Sequence, residues 1–220
     1  MSNSASFDAK TTDVPALVLI VDDDIAVRQS LQRLLSSAGY EVELFASAGA
    51  LLQRLPAVHA ERPRCIVLDM VMPELDGLQL QDQLAAHEYY PPIIFLTGQG
   101  SIPATVQAMQ QGAIDFLEKP VDETDLLPAI ERALSQDRQN YRHWQEIENL
   151  RRQFSSLSER ELEVVRYVIA GQRNKQVAYQ LGISEKTVKV HRARAVEKLG
   201  VKSLAELVQL AAKAGISPLG

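Results

Sequence analysis

One cysteine, Cys65, stands in 220 residues. A single thiol excludes an internal disulfide and fits a reducing cytoplasm, where a free cysteine in an apolar stretch acts as a small buried hydrophobe. Long apolar runs are also missing. The longest near the start, Ala16 to Val21, is too short for a membrane span or the core of a signal peptide. No Gly-x-Gly-x-x-Gly follows the first strand-like run, so a dinucleotide site is not indicated. What is present is ordinary for a globular chain, with 46% apolar and 23% charged residues. The length suits one large domain or two of usual size. Residues 1–14, rich in Ser, Thr and Asp, read as a flexible tail.

Charge divides the chain. Residues 158–220 carry 11 Lys and Arg against 6 Asp and Glu, which leaves 12 against 22 for residues 1–157. An acidic first part joined to a basic last part suggests that only the latter meets a polyanion.

In the acidic part, short β-branched runs alternate with amphipathic ones. Leu17 to Val21, Glu41 to Phe45, Cys65 to Asp69, Pro92 to Leu96 and Ile114 to Leu117 read as strands. Between and after them lie helical patterns: Ile25 to Ala38, stopped by Gly39; a short one capped by Ser47 and ending before Pro56; Leu78 to His87; one with Pro103 in its first turn that stops at Gly112; and one capped by Asp122 or Thr124. Such alternation implies a parallel sheet with helices on both faces. Residues 135–157 lack Gly and Pro, and Tyr141, Trp144, Ile147, Leu150 and Phe154 recur at three- or four-residue steps. The preceding helix then continues through them, with its apolar seam broken near Asp137 and Arg138. Either it folds against its own domain or it pairs in parallel with a second copy.

Polar residues gather just after four of the strands. Asp22 and Asp23 follow the first, Asp69 ends the third, Thr97 follows the fourth, and Lys119-Pro120 follows the fifth. Each alone has a plain structural explanation, as helix cap or loop charge. Together they sit at the carboxyl ends of a parallel sheet, where open α/β folds bind ligands. Carboxylates this close repel, and a hard divalent cation such as Mg2+ relieves that repulsion. A carboxylate nucleophile, a metal, a hydroxyl and an ammonium are the set that phosphoryl transfer to Asp69 needs. A phosphatase working through an aspartyl phosphate would want a second acid two residues after the nucleophile, and Val71 stands there.

The order Asp-Asp, Asp, Thr, Lys-Pro over residues 17–134 resembles the receiver domain of two-component response regulators, a flavodoxin-like doubly wound sheet of five parallel strands. The resemblance implies that Asp69 accepts a phosphoryl group from a sensor histidine kinase. It implies that Asp22, Asp23, Asp69 and the Met70 carbonyl bind Mg2+, and that Thr97 and Lys119 sense the phosphoryl group. Phe116 would be the switch aromatic, and Lys119-Pro120 a cis bond. Asp24 is left as the cap of the first helix.

The basic part reads as four helices. Ser158 and Glu161 form a capping box, Asn174 and Ser184 cap the second and third helices, and Ser203 begins the fourth, with Leu204, Leu207, Val208 and Leu210 apolar. Gly182-Ile183-Ser184 is the short turn of a helix-turn-helix. Leu157 to Val165, Asn174 to Ala178, Leu181 to His191 and Lys198 to Val201 resemble the LuxR-type DNA-binding domain. With the receiver, this places the chain in the NarL/FixJ class, and Thr97-Gly-Gln-Gly with the long linker leans to the FixJ branch. The implied organisation is a tail at 1–14, a receiver at 15–134, a helical linker at 135–156 and the DNA-binding domain at 157–215. By the same resemblance Lys189 and Val190 face the major groove. Lys175, Thr187 and Arg194 lie nearer phosphates or flanking bases, and Lys186 and Arg192 share the basic face. Ala193 occupies a base-reading position where it reaches only a thymine methyl. The implied function is a phosphorylation-switched transcriptional regulator, an enzyme only toward its own aspartate. It would pair on phosphorylation, bind double-stranded DNA and meet RNA polymerase. The alternative is a constitutive DNA-binding regulator whose receiver does not switch.

Overall fold

The structure, a computed structural model, describes residues 15–55, 62–98 and 102–219. It divides into two compact units between Tyr141 and Arg142. In the first, β1 (Leu17–Val21), β2 (Glu41–Phe45), β3 (Arg64–Asp69), β4 (Ile93–Thr97) and β5 (Asp115–Glu118) alternate with α1 (Ile25–Ser37), α2 (Ala48–Arg54), α3 (Gly77–Ala85), α4 (Ile102–Gln110) and α5 (Glu123–Ser155). All pairings are parallel, in the order β2-β1-β3-β4-β5. That is the flavodoxin-like order, whose topological switch point lies between β1 and β3.

The period-two alternation of strand residues decides which helices cover which face. Leu17, Leu19, Val21, Ile66, Leu68, Ile93 and Phe95 pack with Leu51 of α2, Leu80 and Leu84 of α3 and Ala108 of α4. Val18, Ile20, Cys65, Val67, Ile94 and Leu96 pack on the other face with Leu31 and Leu35 of α1 and with Leu126, Ile130 and Leu134 of α5. Burial on both faces explains why β1, β3 and β4 are apolar almost throughout. Cys65 is one of those buried side chains.

Local chemistry sets the helix starts. Asp24 accepts hydrogen bonds from the Ala26 and Val27 amides, Ser47 from Ala50 and Asp122 from Asp125. β5 lies one residue later than the sequence pattern suggests. The tail expected at 1–14, Pro56, and Gln99 with Gly100 lie outside the described residues.

α5 is one continuous helix from Glu123 to Ser155, with Pro128 inside its second turn. Its last turns belong to the second unit, where Phe154 and Leu150 join the core of α6 (Glu159–Ile169), α7 (Asn174–Leu181), α8 (Glu185–Leu199) and α9 (Leu204–Lys213). Val164, Val165, Val168, Val177, Val188, Ala195, Leu199, Leu207 and Ala211 fill that core. The Ser158 capping box forms as expected, and Ser184 and Ser203 cap α8 and α9. One expectation changes. Asn174 is the first residue of α7 rather than its cap. Leu204 and Val208 stand out from the core, because the buried stripe of α9 is narrow and runs through Leu207 and Ala211.

Candidate functional site

Because the strands are parallel, the residues that end them share one edge of the sheet. Asp22 follows β1 and is 1% exposed, Asp69 ends β3 and is nearly as buried, and Asp23 is open to solvent. One carboxylate oxygen from each of the three lies within 4.8 Å of the others. Lys119, just past β5, spans the pair at the switch point: its Nζ is 2.6 Å from Asp22 Oδ2 and 3.0 Å from Asp69 Oδ1. Asp22 Oδ1 accepts from the Asp24 amide at 2.8 Å, and Arg28 donates to the Asp22 carbonyl. The nucleophile candidate therefore sits among fixed partners.

Burial pushes the Asp69 carboxyl above its usual range; Lys119 pulls it back and Asp22 adds to the rise. For Lys119 burial acts downward, but the hydrogen bonds to the two aspartates outweigh it and hold the ammonium above its ordinary value. Lys119 is thus charged at neutral pH.

The donor set is hard oxygen. Three carboxylates against one ammonium leave two negative charges, which a divalent cation balances. The Met70 carbonyl accepts from the Gly77 amide at 3.0 Å and retains a second lone pair for a cation. Around this centre, Thr97 ends β4 with 1% exposure, and its carbonyl accepts from the Lys119 amide at 2.7 Å. The Phe116 ring is half-buried, with its centroid 6.4 Å from that of Phe95. Lys119-Pro120 is cis. Val71, two residues after Asp69, is 72% exposed, and Ile25, which starts α1 after the Asp22–Asp24 run, is also largely exposed.

In the second unit α7, the Gly182 turn and α8 form the helix-turn-helix. Gly182 adopts φ +64°, the left-handed conformation that ends α7 without a Cβ penalty. Val188, Ala195 and Leu199 hold α8 to the core. That leaves Lys186, Lys189, Val190, Ala193 and Arg194 on its open face, and Lys175 open on α7. Thr187 is half-buried and its hydroxyl meets that of Ser184 at 2.7 Å. Arg192 turns back toward α7 and donates to Asn174 Oδ1 at 3.2 Å. His191 has a buried Nδ1.

Two family models match these units. The model of the response regulator receiver domain matches residues 18–131, and that of bacterial regulatory proteins of the luxR family matches residues 155–211. The chain belongs to the response regulators that carry a LuxR-type DNA-binding domain. Nodulation protein W of Bradyrhizobium diazoefficiens is 43% identical over 92% of this chain and 88% of its own. The transcriptional regulatory protein FixJ of the same species is 40% identical over 90% of this chain and 96% of its own. Among solved structures, the response regulator StyR superposes with a TM-score of 0.66 at 46% identity, covering 91% of this chain and all of that one. As a response regulator of this kind, the protein is a phosphorylation-dependent transcription regulator. No helix among its described residues is long and apolar enough to cross a membrane.

Three residues of this regulator's sites have roles that sequence reasoning missed. Gly77 matters for space, since a Cβ there would meet the Asp69 carbonyl oxygen at 2.7 Å. Asn174 pairs with Arg192 across the helix-turn-helix. Lys198, read only as part of a motif, donates to Glu161 at 2.6 Å and ties α8 to the start of α6. Only for Gly77, beside turn residues and one helical start, was there a signal in the sequence.

Proposed function

We propose that Asp69 is the phosphate acceptor. One Asp69 oxygen attacks the phosphorus of a phosphohistidine on a sensor kinase. The new P–O bond replaces the P–N bond, and the imidazole leaves with a proton from solvent. The observation that carries this reading is the convergence of Asp22, Asp23, Asp69 and Lys119 at one sheet edge. Lys119 neutralises charge gathering on the phosphoryl oxygens and keeps Asp69 in place. Asp22, Asp23, Asp69 and the Met70 carbonyl would hold Mg2+, which supplies further charge neutralisation in the transfer. The apolar rim of Ile25 and Val71 suits a kinase surface docking over the acceptor.

After transfer, Thr97 and Lys119 grip the phosphoryl group and Phe116 follows Thr97 inward. The face that changes includes α4, whose exposed Ile102, Val106 and Met109 lie at four- and three-residue steps on one side. Pairing of two receivers through this face raises the effective concentration of the second DNA-binding domain at a two-half-site operator. There Lys189 and Val190 read base edges in the major groove and Ala193 meets a thymine methyl. Lys175, Lys186, Thr187, Arg192 and Arg194 serve phosphates or flanking bases, as their place on or beside the open face of α8 allows. The proposed domain limits are a receiver from residue 15 to 134, a linker at 135–156 and the DNA-binding domain at 157–215, with the first linker turns, through Asp137 and Tyr141, still packed within the first compact unit. The setting is the cytoplasm, with RNA polymerase as the downstream partner.

The test is Asp69→Asn, treated with acyl phosphate and Mg2+ and followed by sedimentation. The variant is expected to stay monomeric while the parent pairs. Equal pairing of both would mean that phosphate on Asp69 is not the trigger.

A further inference from the structure

The core-facing stripe of α5 runs Leu126, Ala129, Ile130, Ala133, Leu134. The next position on that stripe is Asp137, and it is 1% exposed. A carboxylate taken out of water costs several kcal/mol unless it is well bonded, and a hydrophobe would continue the stripe at less cost. Asp137 is bonded at both oxygens. Oδ2 accepts from the backbone amide of Arg64 at 2.8 Å, and Oδ1 accepts from the Tyr89 hydroxyl at 2.7 Å. The Arg64 guanidinium lies over the Tyr89 ring, 5.1 Å from its centroid. Tyr89 in turn packs on Tyr141, with centroids 5.6 Å apart. Burial raises the Asp137 carboxyl, with Tyr89 and the Arg64 amide opposing it.

These contacts reach past the end of the apolar stripe. They fasten α5 to the first residue of β3 and to the segment between α3 and β4. The compact unit containing the sheet ends at Tyr141, the last member of the cluster. A well-packed hydrophobe at 137 would give α5 affinity for the sheet but no fixed axial or rotational setting. Two directed hydrogen bonds at 48 and 73 residues' separation do set it.

We propose that Asp137, Arg64, Tyr89 and Tyr141 form a fastening that makes α5 rigidly part of the receiver as far as Tyr141, and that the gain in DNA affinity on phosphorylation depends on it. The fastening itself is a property of the resting fold; its role in output rests on the proposed phosphorylation switch. Asp137 and Tyr89 are positioning residues in this scheme. They touch neither phosphate nor DNA.

The test uses the full chain, as parent, Tyr89→Phe and Asp137→Leu. Tyr89→Phe removes the hydroxyl's bond and keeps the ring; Asp137→Leu removes both acceptor oxygens at similar size and continues the apolar stripe. In the parent, hydrogen exchange of amides 138–141 is expected to match the slow amides of β3, with amides 143–149 at least 10-fold faster. In both variants 138–141 should speed up about 10-fold or more with β3 unchanged. Amides 138–141 that exchange as fast as 143–149 in the parent, or that are unmoved in both variants, would overturn the fastening.

The second readout is the gain in affinity on phosphorylation for a duplex selected with the phosphorylated parent. Both variants should take up phosphate and pair as the parent does, while this gain falls at least 5-fold. Faster exchange with an undiminished gain would show a fastening that carries no output, and would overturn the proposal. A parent that neither pairs nor gains affinity would instead sink the proposed function, leaving the exchange result to stand on its own.

Discussion

Replacing Gly77 by alanine tests whether the acceptor loop is set by space. An added Cβ would lie 2.7 Å from the Asp69 carbonyl oxygen, 2.9 Å from Phe95 Cε1 and 3.1 Å from Met70 Cα, where ordinary contact begins at 3.4 Å. Two of the three atoms are backbone, and the Phe95 ring is fully buried between strands and helices. None can yield as the end of a flexible side chain would. Overpacking of this kind costs about 1–3 kcal/mol. The gain of alanine over glycine in a helix is at most about 1 kcal/mol, and smaller at a first helical residue. The net loss is therefore about 1–2 kcal/mol, equivalent to a fall of roughly 4–8 °C in the receiver's melting temperature. Calorimetry on the full chain reads this, with the DNA-binding unit as internal reference. The relaxation moves the Asp69 backbone, so uptake of phosphate from an acyl phosphate should also slow. If Gly77→Ala melts with the parent and is phosphorylated at the parent's rate, the close approach at Gly77 does not set the loop.

Two further outcomes follow from side chains already placed. Val71 projects into solvent two residues after Asp69, and its own side chain has no amide or acid to orient an attacking water; Val71→Asn should shed phosphate ~10-fold faster or more, and decay no faster than the parent once the donor is removed would refute this. Glu161 is held down to about 2, first by its hydrogen bond from Lys198 and then by the Ser158 amide. A carboxyl lowered on folding contributes stability that is complete above its unfolded value of 4.5 and disappears as pH falls through about 2. Urea midpoints of the DNA-binding unit should therefore fall more steeply with acid in the parent than in Glu161→Gln, and parallel profiles would show that the pair does not control acid stability.

The receiver site was legible because each contributing residue directly follows an apolar run, and parallel strands bring run ends together. Asp22, Asp69, Thr97 and Lys119 needed only the alternation of strands and helices to be placed on one edge. Gly77 stands just before the helical pattern of Leu78 to His87, which does not say why glycine is needed there. Its φ lies outside the left-handed region, and what demands glycine is the Asp69 carbonyl beside it. Asn174 looked like a cap because side chains of that type often are; its oxygen is engaged by Arg192, 18 residues away, and local propensity carries no trace of that. Asp137 showed in the sequence as a break in an apolar seam. Its partners Arg64 and Tyr89 are distant in the chain, so periodicity could mark the break but not explain it. Leu204 and Val208 fit a helical apolar pattern that does not say which of its members face the core.

The resting site also limits what phosphate can do. Lys119 already bridges Asp22 and Asp69, so on the proposed phosphorylation of Asp69 it would exchange one anionic partner for another. Among the described side chains, the new partner in the proposed switch is the Thr97 hydroxyl, worth about 1.5–3 kcal/mol as a hydrogen bond to a charged group and so about 3–6 kcal/mol over the two receivers of a pair. Turning a 1:99 equilibrium into 99:1 takes about 5.5 kcal/mol. In the proposed switch any remainder comes from association itself, through the exposed Ile102, Val106 and Met109 of α4. On that reading phosphate shifts a pre-existing pairing equilibrium instead of creating a new one, and the proposed switch depends on concentration. Sedimentation of unphosphorylated protein up to millimolar concentration should reveal the same dimer, with a dissociation constant roughly 100- to 10,000-fold above that of the phosphorylated form, which carries two phosphoryl groups per pair. Thr97→Ala should close most of that gap without abolishing phosphate uptake. A resting protein that stays monomeric throughout, beside a phosphorylated form that pairs tightly, would show that the phosphate contributes far more than the Thr97 hydrogen bond.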